Sequence, residues 1–462
     1  MLQLFDTAKG GVVPFEPREP GKVSMYACGP TVYGPPHVGH GRMALVFDVL
    51  RRYLAWAGNE ITFVSNVTDI DDKIIERAQR EDRDWQDITA RCENVWYRAM
   101  DALGVQRPDH DPHATAYVDR MVELIARLVD AGAAYETSDA VYFQSEGVED
   151  YGLLARQPLD SLKAGARVEG AEEKRSPVDF ALWKKAKPGE PTWPSPWGPG
   201  RPGWHTECVV MSLDLLGEGF DIHGGGLDLT FPHHENERAQ AVADGRQFAR
   251  YWVHNGFVEV EGTKMSKSLG NVTNLLDLVE QYDPRAYRLL VLQSHYRSPI
   301  DVTDDSLRDA VRSLARLDTF ARKAAELGGG GGADADVDAL ARFREAMDDD
   351  LDTPRATALV FDLVRRANAL LAGGDIESAA PLAAAVAEIT GALGLQLRTE
   401  GGEVPADILE LARRRDEARS ARDWATADTL RDQITAAGYV VEDTAGGTVV
   451  RPEQGPSAIH FR

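Results

Sequence analysis

Between residues 22 and 64 the hydrophobic rhythm of the chain changes three times. Residues 23–27 carry apolar side chains at alternate positions, the period of a half-buried strand. Three prolines and three glycines between Gly29 and Gly39 then forbid the continuation of either strand or helix. Beyond them Val46, Phe47, Leu50, Tyr53 and Leu54 recur along one helix face, which runs to Ala57 with Gly58 as the stop. Residues 61–64 read as a second strand. A strand–loop–helix–strand unit of this kind is the building block of a parallel nucleotide-binding sheet.

The same reading carries down the chain. Asp71 and Asp72 suit the N-terminus of a helix that follows the second strand. Met121, Leu124, Ile125 and Leu128 mark an amphipathic helix, and the Pro-, Gly- and Trp-rich residues 187–203 read as an ordered irregular loop. The sheet is expected to resume around Trp204, with strands at 220–229 (ending in a glycine turn) and 252–258 and a helix from Pro232 onward. Residues 284–327 read as helical, the five glycines 328–332 as a flexible joint, and 335–371 and 376–394 as two bundle helices. One long helix, 407–436, and a strand pair at 439–441 and 448–450 end the chain. The expected class is α/β: a Rossmann-like parallel-sheet domain (1–115 and 204–315) interrupted by an insertion (116–203), then a helical bundle (316–400) and a small C-terminal α+β unit (401–462).

Composition narrows the setting. With 462 residues and 43% hydrophobic content there is room for several domains with real cores. No run of about 18 apolar residues could span a membrane, and the N-terminus lacks the basic-then-apolar pattern of a secretory signal. Cys28, Cys92 and Cys208, odd in number and far apart, fit a reducing cytoplasm with metal-bound or buried thiols better than a disulfide frame. The net charge of −23 argues against a general nucleic-acid binder, because polyanion affinity comes from clustered Lys and Arg.

Several residues carry candidate chemistry. His37 and His40 sit where the loop becomes a helix, whose free N–H groups and partial positive charge suit phosphate. Gly39 between them admits a flat base or ribose close to the backbone. Seen alone, the pair reads as well as two surface-loop histidines. Thr68 lies at the carboxyl end of a parallel strand, where such sheets bind ligands. His233 and Glu237 lie one helical turn apart. Joined by Cys28 and Cys208 they would form a two-thiolate, imidazole and carboxylate set suited to tetrahedral Zn²⁺. Spacing by itself favours ordinary buried thiols.

The segment Lys264-Met265-Ser266-Lys267-Ser268-Leu269-Gly270-Asn271 changes the weighing. With His37-Val38-Gly39-His40 it closely resembles the KMSKS and HIGH signatures of class I aminoacyl-tRNA synthetases, valine replacing isoleucine. Cys28-Gly29-Pro30-Thr31-Val32-Tyr33 and Phe231-Pro232-His233-His234-Glu235-Asn236-Glu237 narrow the resemblance to the cysteinyl-tRNA synthetase family, over nearly the whole chain. The resemblance implies one Zn²⁺ on Cys28, Cys208, His233 and Glu237, with His234 and Glu235 at most outside the ligand shell. It implies ATP binding and catalysis by His37, His40, Lys264 and Lys267 with Gly39, and Mg²⁺ accompanying the nucleotide. Gly29, Thr68, Trp204, His223 and Asp228 would receive L-cysteine, although Trp204 also reads as a core aromatic. Transfer to tRNA(Cys) is implied, with the C-terminal unit on the anticodon and a monomeric chain expected. A related cysteine ligase that acylates a glucosaminyl-inositol in mycothiol synthesis is the alternative, and residues 405–462 speak against it. The arginines at 413–415, 419 and 422 are open to two readings, an RNA-binding strip or a salt-bridged helix face, since acids interleave with them. Val450 stands where relatives commonly carry a tryptophan.

Overall fold

The structure, a computed structural model, describes residues 1–165, 173–260, 263–264, 273–326, 333–399, 405–444 and 447–452. The expected glycine joint at 328–332 and the signature segment beyond Lys264 lie outside the described residues. A hairpin that the hydrophobic pattern did not reveal, β1 (Gln3–Asp6) and β2 (Gly11–Pro14), comes first. The predicted unit follows: β3 (Lys22–Ala27), α1 (Val38–Trp56) and β4 (Glu60–Ser65), with the two strands parallel and Lys22 opposite Glu60. Leu45, Phe47, Leu50 and Tyr53 bury α1 in the core, and Gly58 ends it at φ +99°. Next come α2 (Asp72–Glu81), capped by the Asp71 carboxylate accepting from the Lys73 N–H, then α3 (Trp85–Ala102) and α4 (Val118–Asp130).

The inserted region holds a four-stranded antiparallel sheet. Its members are β5 (Ala134–Glu136), β6 (Ala140–Phe143), β7 (Phe180–Lys185) and β8 (Gly200–Pro202), with a short helix, α5 (Leu159–Gly165), between β6 and β7. The irregular loop expected through 187–203 holds as far as 199, and its end at Gly200–Pro202 is strand instead. Gly200 and Pro202 are poor strand residues in isolation, but β8 is an edge strand, where a missing N–H is tolerated, and it lies over the fully buried Trp183.

The main sheet resumes through a helix, α6 (Trp204–Leu216), followed by β9 (Ile222–Gly226), α7 (Glu235–Ala243) and β10 (Tyr251–Asn255). All four core strands are parallel in the order β10-β9-β3-β4. Because β3 pairs with β4 on one side and β9 on the other, the winding reverses there. The crevice at the carboxyl ends of β3 and β9 is the place where open α/β sheets hold ligands. The glycines expected to form a turn lie inside β9 instead. A Cβ on Gly224 would come within 2.2 Å of the Phe47 side chain, so only glycine lets β9 seat against α1.

The remainder is mostly helical. After β11 (Val258–Val260) and β12 (Thr263–Lys264) come α8 (Leu275–Gln281), α9 (Pro284–Leu292), β13 (Ile300–Asp301) and α10 (Asp304–Glu326). The single helix expected from Pro284 is interrupted, because the buried Arg42 guanidinium on α1 donates to the carbonyls of His295, Tyr296 and Ser298 and holds that segment non-helical. Helix α10 runs unbroken through residue 315, where a domain boundary was expected. Three helices, α11 (Val337–Asp348), α12 (Thr353–Ala372) and α13 (Ile376–Ala392), replace the expected two. Asp350 and Leu351 break the first at positive φ while the Asp350 carboxylate accepts from the Phe5 N–H and the Tyr296 O–H. Likewise Arg422, at φ +59°, splits the expected last helix into α14 (Ala406–Ser420) and α15 (Trp424–Ala436), which pack with the hairpin β14 (Tyr439–Thr444) and β15 (Gly447–Pro452). Among the described residues no helix is long and apolar enough to cross a membrane.

A buried ion pair within the sheet domain also reaches the end of the bundle. Arg288 on α9 meets Asp48 on α1 at 2.7 Å, both nearly inaccessible, and also donates to the carbonyls of Leu103 and Leu393. Removing one partner strands the other charge in a dry site. Asp48→Ala is therefore expected to cost about 3–5 kcal/mol, seen as a lower chemical-denaturation midpoint. Asp305→Ala, at the exposed pair with Arg308, should change stability by no more than about 0.5 kcal/mol.

Candidate metal and nucleotide site

Strand β3 ends at Ala27 and delivers Cys28 to the switch-point crevice. Cys208 arrives from the second turn of α6. His233 comes from the kinked segment Thr230–His234, where Phe231 is extended at φ −140° and ψ 134°, and Glu237 from the first turn of α7. The last two keep i,i+4 spacing, with His233 Nε2 3.0 Å from Glu237 Oε1. All four side chains are buried. Gly29 makes the tight exit from β3 possible, since a Cβ there would fall 1.6 Å from the Asn66 carbonyl oxygen.

The distances among these atoms test whether a metal fits. A tetrahedron drawn with ordinary zinc bond lengths has edges of about 3.8 Å between two sulfurs, about 3.5 Å from sulfur to nitrogen or oxygen, and about 3.3 Å from nitrogen to oxygen. The structure has Cys28 Sγ 3.8 Å from Cys208 Sγ, Cys208 Sγ 3.7 Å from His233 Nε2, and Cys28 Sγ 3.5 Å from Glu237 Oε1. The donor set and its spacing both fit Zn²⁺. A second group, Cys28, His223, His234 and Glu237, also converges, but shares two members with the first. It has one thiol, and its 3.2 Å contact from His234 Nε2 to Cys28 Sγ has the length of an N–H···S hydrogen bond. The first group fits better.

Electrostatics point the same way. Burial pushes the Cys28 thiol well up, and its neighbour Cys208 adds to this. Burial also opposes ionisation of Cys208, yet donation from Cys28 and the adjoining His233 bring it down to about 6, so the two thiols share one proton. Burial would raise Glu237, but His223 and His233 hold its carboxyl well below the usual range. Burial by itself would lower His233, and the Glu237 carboxylate outweighs it, raising the imidazole to about 10. The pocket thus gathers anionic donors that a divalent cation would neutralise.

Alongside lies an open cleft of about 330 Å³. Cys28, Gly29, Trp204 and Asp228 line one part of it, and His37, Gly39 and His40 another. The two signature histidines cap α1 reciprocally. His37 Nδ1 accepts from the His40 N–H and His40 Nδ1 from the His37 N–H, with the rings stacked at 3.6 Å. Trp204 is 37% exposed and stacks on His233 at 4.1 Å, so the core-aromatic alternative gives way to a wall of the cleft. Thr68 and His223 lie buried behind that wall. The Thr68 hydroxyl donates to Glu207 at 2.8 Å, while His223 Nε2 is 2.9 Å from Glu237 Oε2. Lys264 sits in β12, paired through its backbone with Glu259, and Lys267 lies outside the described residues. Both flanks of that segment reach the signature turn, since Val38 N–H donates to the Thr273 carbonyl and Arg42 to that of Phe257. Lys73, which also lines the cleft, the half-buried His205 and the buried Glu207 and His254 were missed by sequence reasoning. No local motif marks them, because each matters only through what the fold brings beside it.

A parallel sheet split by an insertion, with a signature-helix N-terminus and a thiol-rich pocket at its switch point, defines a class I synthetase architecture. Comparison with known proteins agrees. Residues 14–312 match the model described as tRNA synthetases class I (C) catalytic domain, 342–398 the DALR domain, and 401–451 the cysteinyl-tRNA ligase anticodon binding domain. The chain is 45% identical to the cysteine–tRNA ligase of Geobacter sulfurreducens, over 97% of this chain and 98% of that one. It is 48% identical to that of Alkalilimnicola ehrlichii, over 98% and 100%. The fold resembles Mycobacterium tuberculosis methionyl-tRNA synthetase, at 17% identity and a TM-score of 0.60 over 80% of this chain and 89% of that one. The chain belongs to the cysteinyl-tRNA synthetase family.

Metal analysis tests the four-ligand geometry. Purified protein should hold one zinc ion, and Cys208→Ala should weaken binding by at least about 100-fold, whereas Cys92→Ala should leave it unchanged. Because the proton on the thiol pair and the extra proton on His233 must leave when the metal enters, apparent affinity should rise with pH through neutrality.

Proposed function

We propose that the chain activates L-cysteine with ATP to form cysteinyl-adenylate, then transfers the cysteinyl group to the 3′-terminal ribose of tRNA(Cys). The observation that carries this reading is the convergence, in one cleft, of a thiol-rich metal group opening at Cys28 and the helix N-terminus at His37 and His40. One Zn²⁺ per chain on Cys28, Cys208, His233 and Glu237 supplies a soft Lewis acid that prefers a thiolate to the hydroxyl of serine, a distinction that packing alone makes poorly.

In the first step a substrate carboxylate oxygen forms a bond to the α-phosphorus of ATP, the bond to the bridging oxygen breaks, and pyrophosphate leaves. His37, His40 and the positive end of the α1 dipole face the phosphates, where charge develops. Lys264 and Lys267 close from the segment tethered to the signature turn, and Gly39 leaves room for the adenosine. Mg²⁺ enters with the nucleotide. Asp228 pairs with the substrate ammonium and Trp204, stacked on His233, covers the side-chain end. Gly29 lines the cleft at Cys28. Thr68, held by Glu207, and His223, held by Glu237, support the wall from behind. In the second step a terminal ribose hydroxyl, the 2′-OH for this class, takes the acyl group from the adenylate and AMP leaves.

The sheet domain with its insertion thus performs the chemistry, while 316–400 and 401–462 serve as bundle and anticodon-binding unit of a monomeric, cytoplasmic enzyme. A glucosaminyl-inositol acceptor is disfavoured by the match of 401–451 to an anticodon binding domain. Cysteine-dependent ATP–pyrophosphate exchange should be measurable, and His40→Ala should lower it by about 100-fold or more. Adding tRNA(Cys) should yield cysteinyl-tRNA, and stripping the metal should abolish cysteine selection. Acylation of an amino-sugar acceptor in place of tRNA, or undiminished cysteine selectivity in verified metal-free protein, would overturn the reading.

A further inference from the structure

Behind the metal group runs a line of buried side chains that the proposed chemistry leaves unused. The Thr7 hydroxyl is 2.7 Å from His254 Nδ1, His254 Nε2 is 2.7 Å from His234 Nδ1, and His234 Nε2 is 3.2 Å from Cys28 Sγ. Its members come from the β1–β2 connection, from β10 and from the kinked segment before α7, so the arrangement draws on three distant parts of the chain. All of them are buried, with His234 completely so.

Taking the zinc reading above as given, the direction of every hydrogen in this line follows. A metal-bound Cys28 is a thiolate and can only accept, so His234 presents Nε2–H and its Nδ1 is an acceptor. His254 must then present Nε2–H to it, and His254 Nδ1 accepts in turn from the Thr7 O–H. Each donor points toward the ion. The charges give a reason for this arrangement. Two thiolates and a carboxylate carry three negative charges against the two positive charges of zinc, and a substrate thiolate adds a fourth. An excess of negative charge in a dry pocket is costly unless donors spread it. Around Cys208 stand the Asn66 side-chain amide oxygen, 3.8 Å away, and the Tyr26 hydroxyl.

We propose that Thr7, His254 and His234 form a one-way hydrogen-bond chain that draws charge off the Cys28 thiolate, leaving the ion more receptive to a substrate thiol. Thr7 and His254 act as positioning residues, through His234. Removal of the terminal hydroxyl frees His254 to take another tautomer and weakens the N–H that His234 gives to Cys28.

Cobalt substitution of the full chain provides the test, because the sulfur-to-cobalt charge-transfer band reports electron density on the thiolates. Thr7→Val and His254→Phe should shift that band to longer wavelength, and His254→Phe should weaken zinc binding by about 10-fold in chelator competition. Thr7→Ser, which restores the hydroxyl, should return both to wild-type values. Circular dichroism verifies that each variant is folded. Wild-type protein that binds cobalt with the expected thiolate band, together with folded Thr7→Val and His254→Phe whose band and affinity are unaltered, overturns the chain and spares the metal site. Wild-type protein that takes up neither cobalt nor zinc overturns both.

Discussion

Two thiols, an imidazole and a carboxylate, buried within reach of one point, form the constraint on which the rest of the architecture depends. None of the four could be ionised there cheaply on its own, because a dry interior penalises isolated charge far more than it rewards any one contact. Together they form a set that a divalent cation completes. The lengths bear this out. The sulfurs stand at the edge length of a zinc-centred tetrahedron, whereas a disulfide would bring them to about 2 Å.

The sheet topology makes this convergence possible. Cys28 can leave β3 at the switch point only because Gly29 lies against the Asn66 carbonyl. Cys208 belongs to the far side of the insertion, so the chain makes its excursion through β5–β8 and returns by α6 to place a second thiol beside the first. The kinked segment Thr230–His234 then offers two adjacent histidines to different neighbours, His233 to Cys208 and Glu237, His234 to Cys28 and His254. Burial and hydrogen bonding on every side of the group give it the rigidity that a geometrically demanding ion requires.

Much of this was legible in the sequence wherever local chemistry decides the outcome. The alternation at 23–27, the proline and glycine break and the periodic face of α1 predict the β3–α1–β4 unit without outside information, and residue chemistry at the helix start places His37 and His40 correctly. Elements set by distant contacts were not legible. Gly200 and Pro202 become a strand because β7 is there to pair with them. The segment between α9 and α10 stays non-helical because Arg42, some 250 residues earlier in the chain, takes its carbonyls. The break before α12 depends on Asp350 meeting Phe5 and Tyr296. Similarly, nothing in the run around His254 announces that it stands behind a cysteine 226 residues away, a relation that passes through His234. Motif resemblance could supply the four inner ligands, but the residues around them emerge only from the fold.

The C-terminal unit settles one ambiguity that the sequence left open. Arg413 is engaged by Glu410 and Glu417, and Arg415 is buried and bonded to Asp443 and Thr448, with Arg419 on the same aspartate. These three arginines hold the α14 face to its own acids and to the hairpin, so their number is a poor measure of positive charge available to a polyanion. Val450 likewise faces inward, packed with Ile408, Ala412 and Ile434, and cannot present a surface to a base. The large aromatic that this unit does expose is Trp424, 59% accessible at the start of α15. On a protein with a net charge of −23, the arginine run therefore offers a polyanion less free charge than its length suggests, because internal acids have already taken much of it.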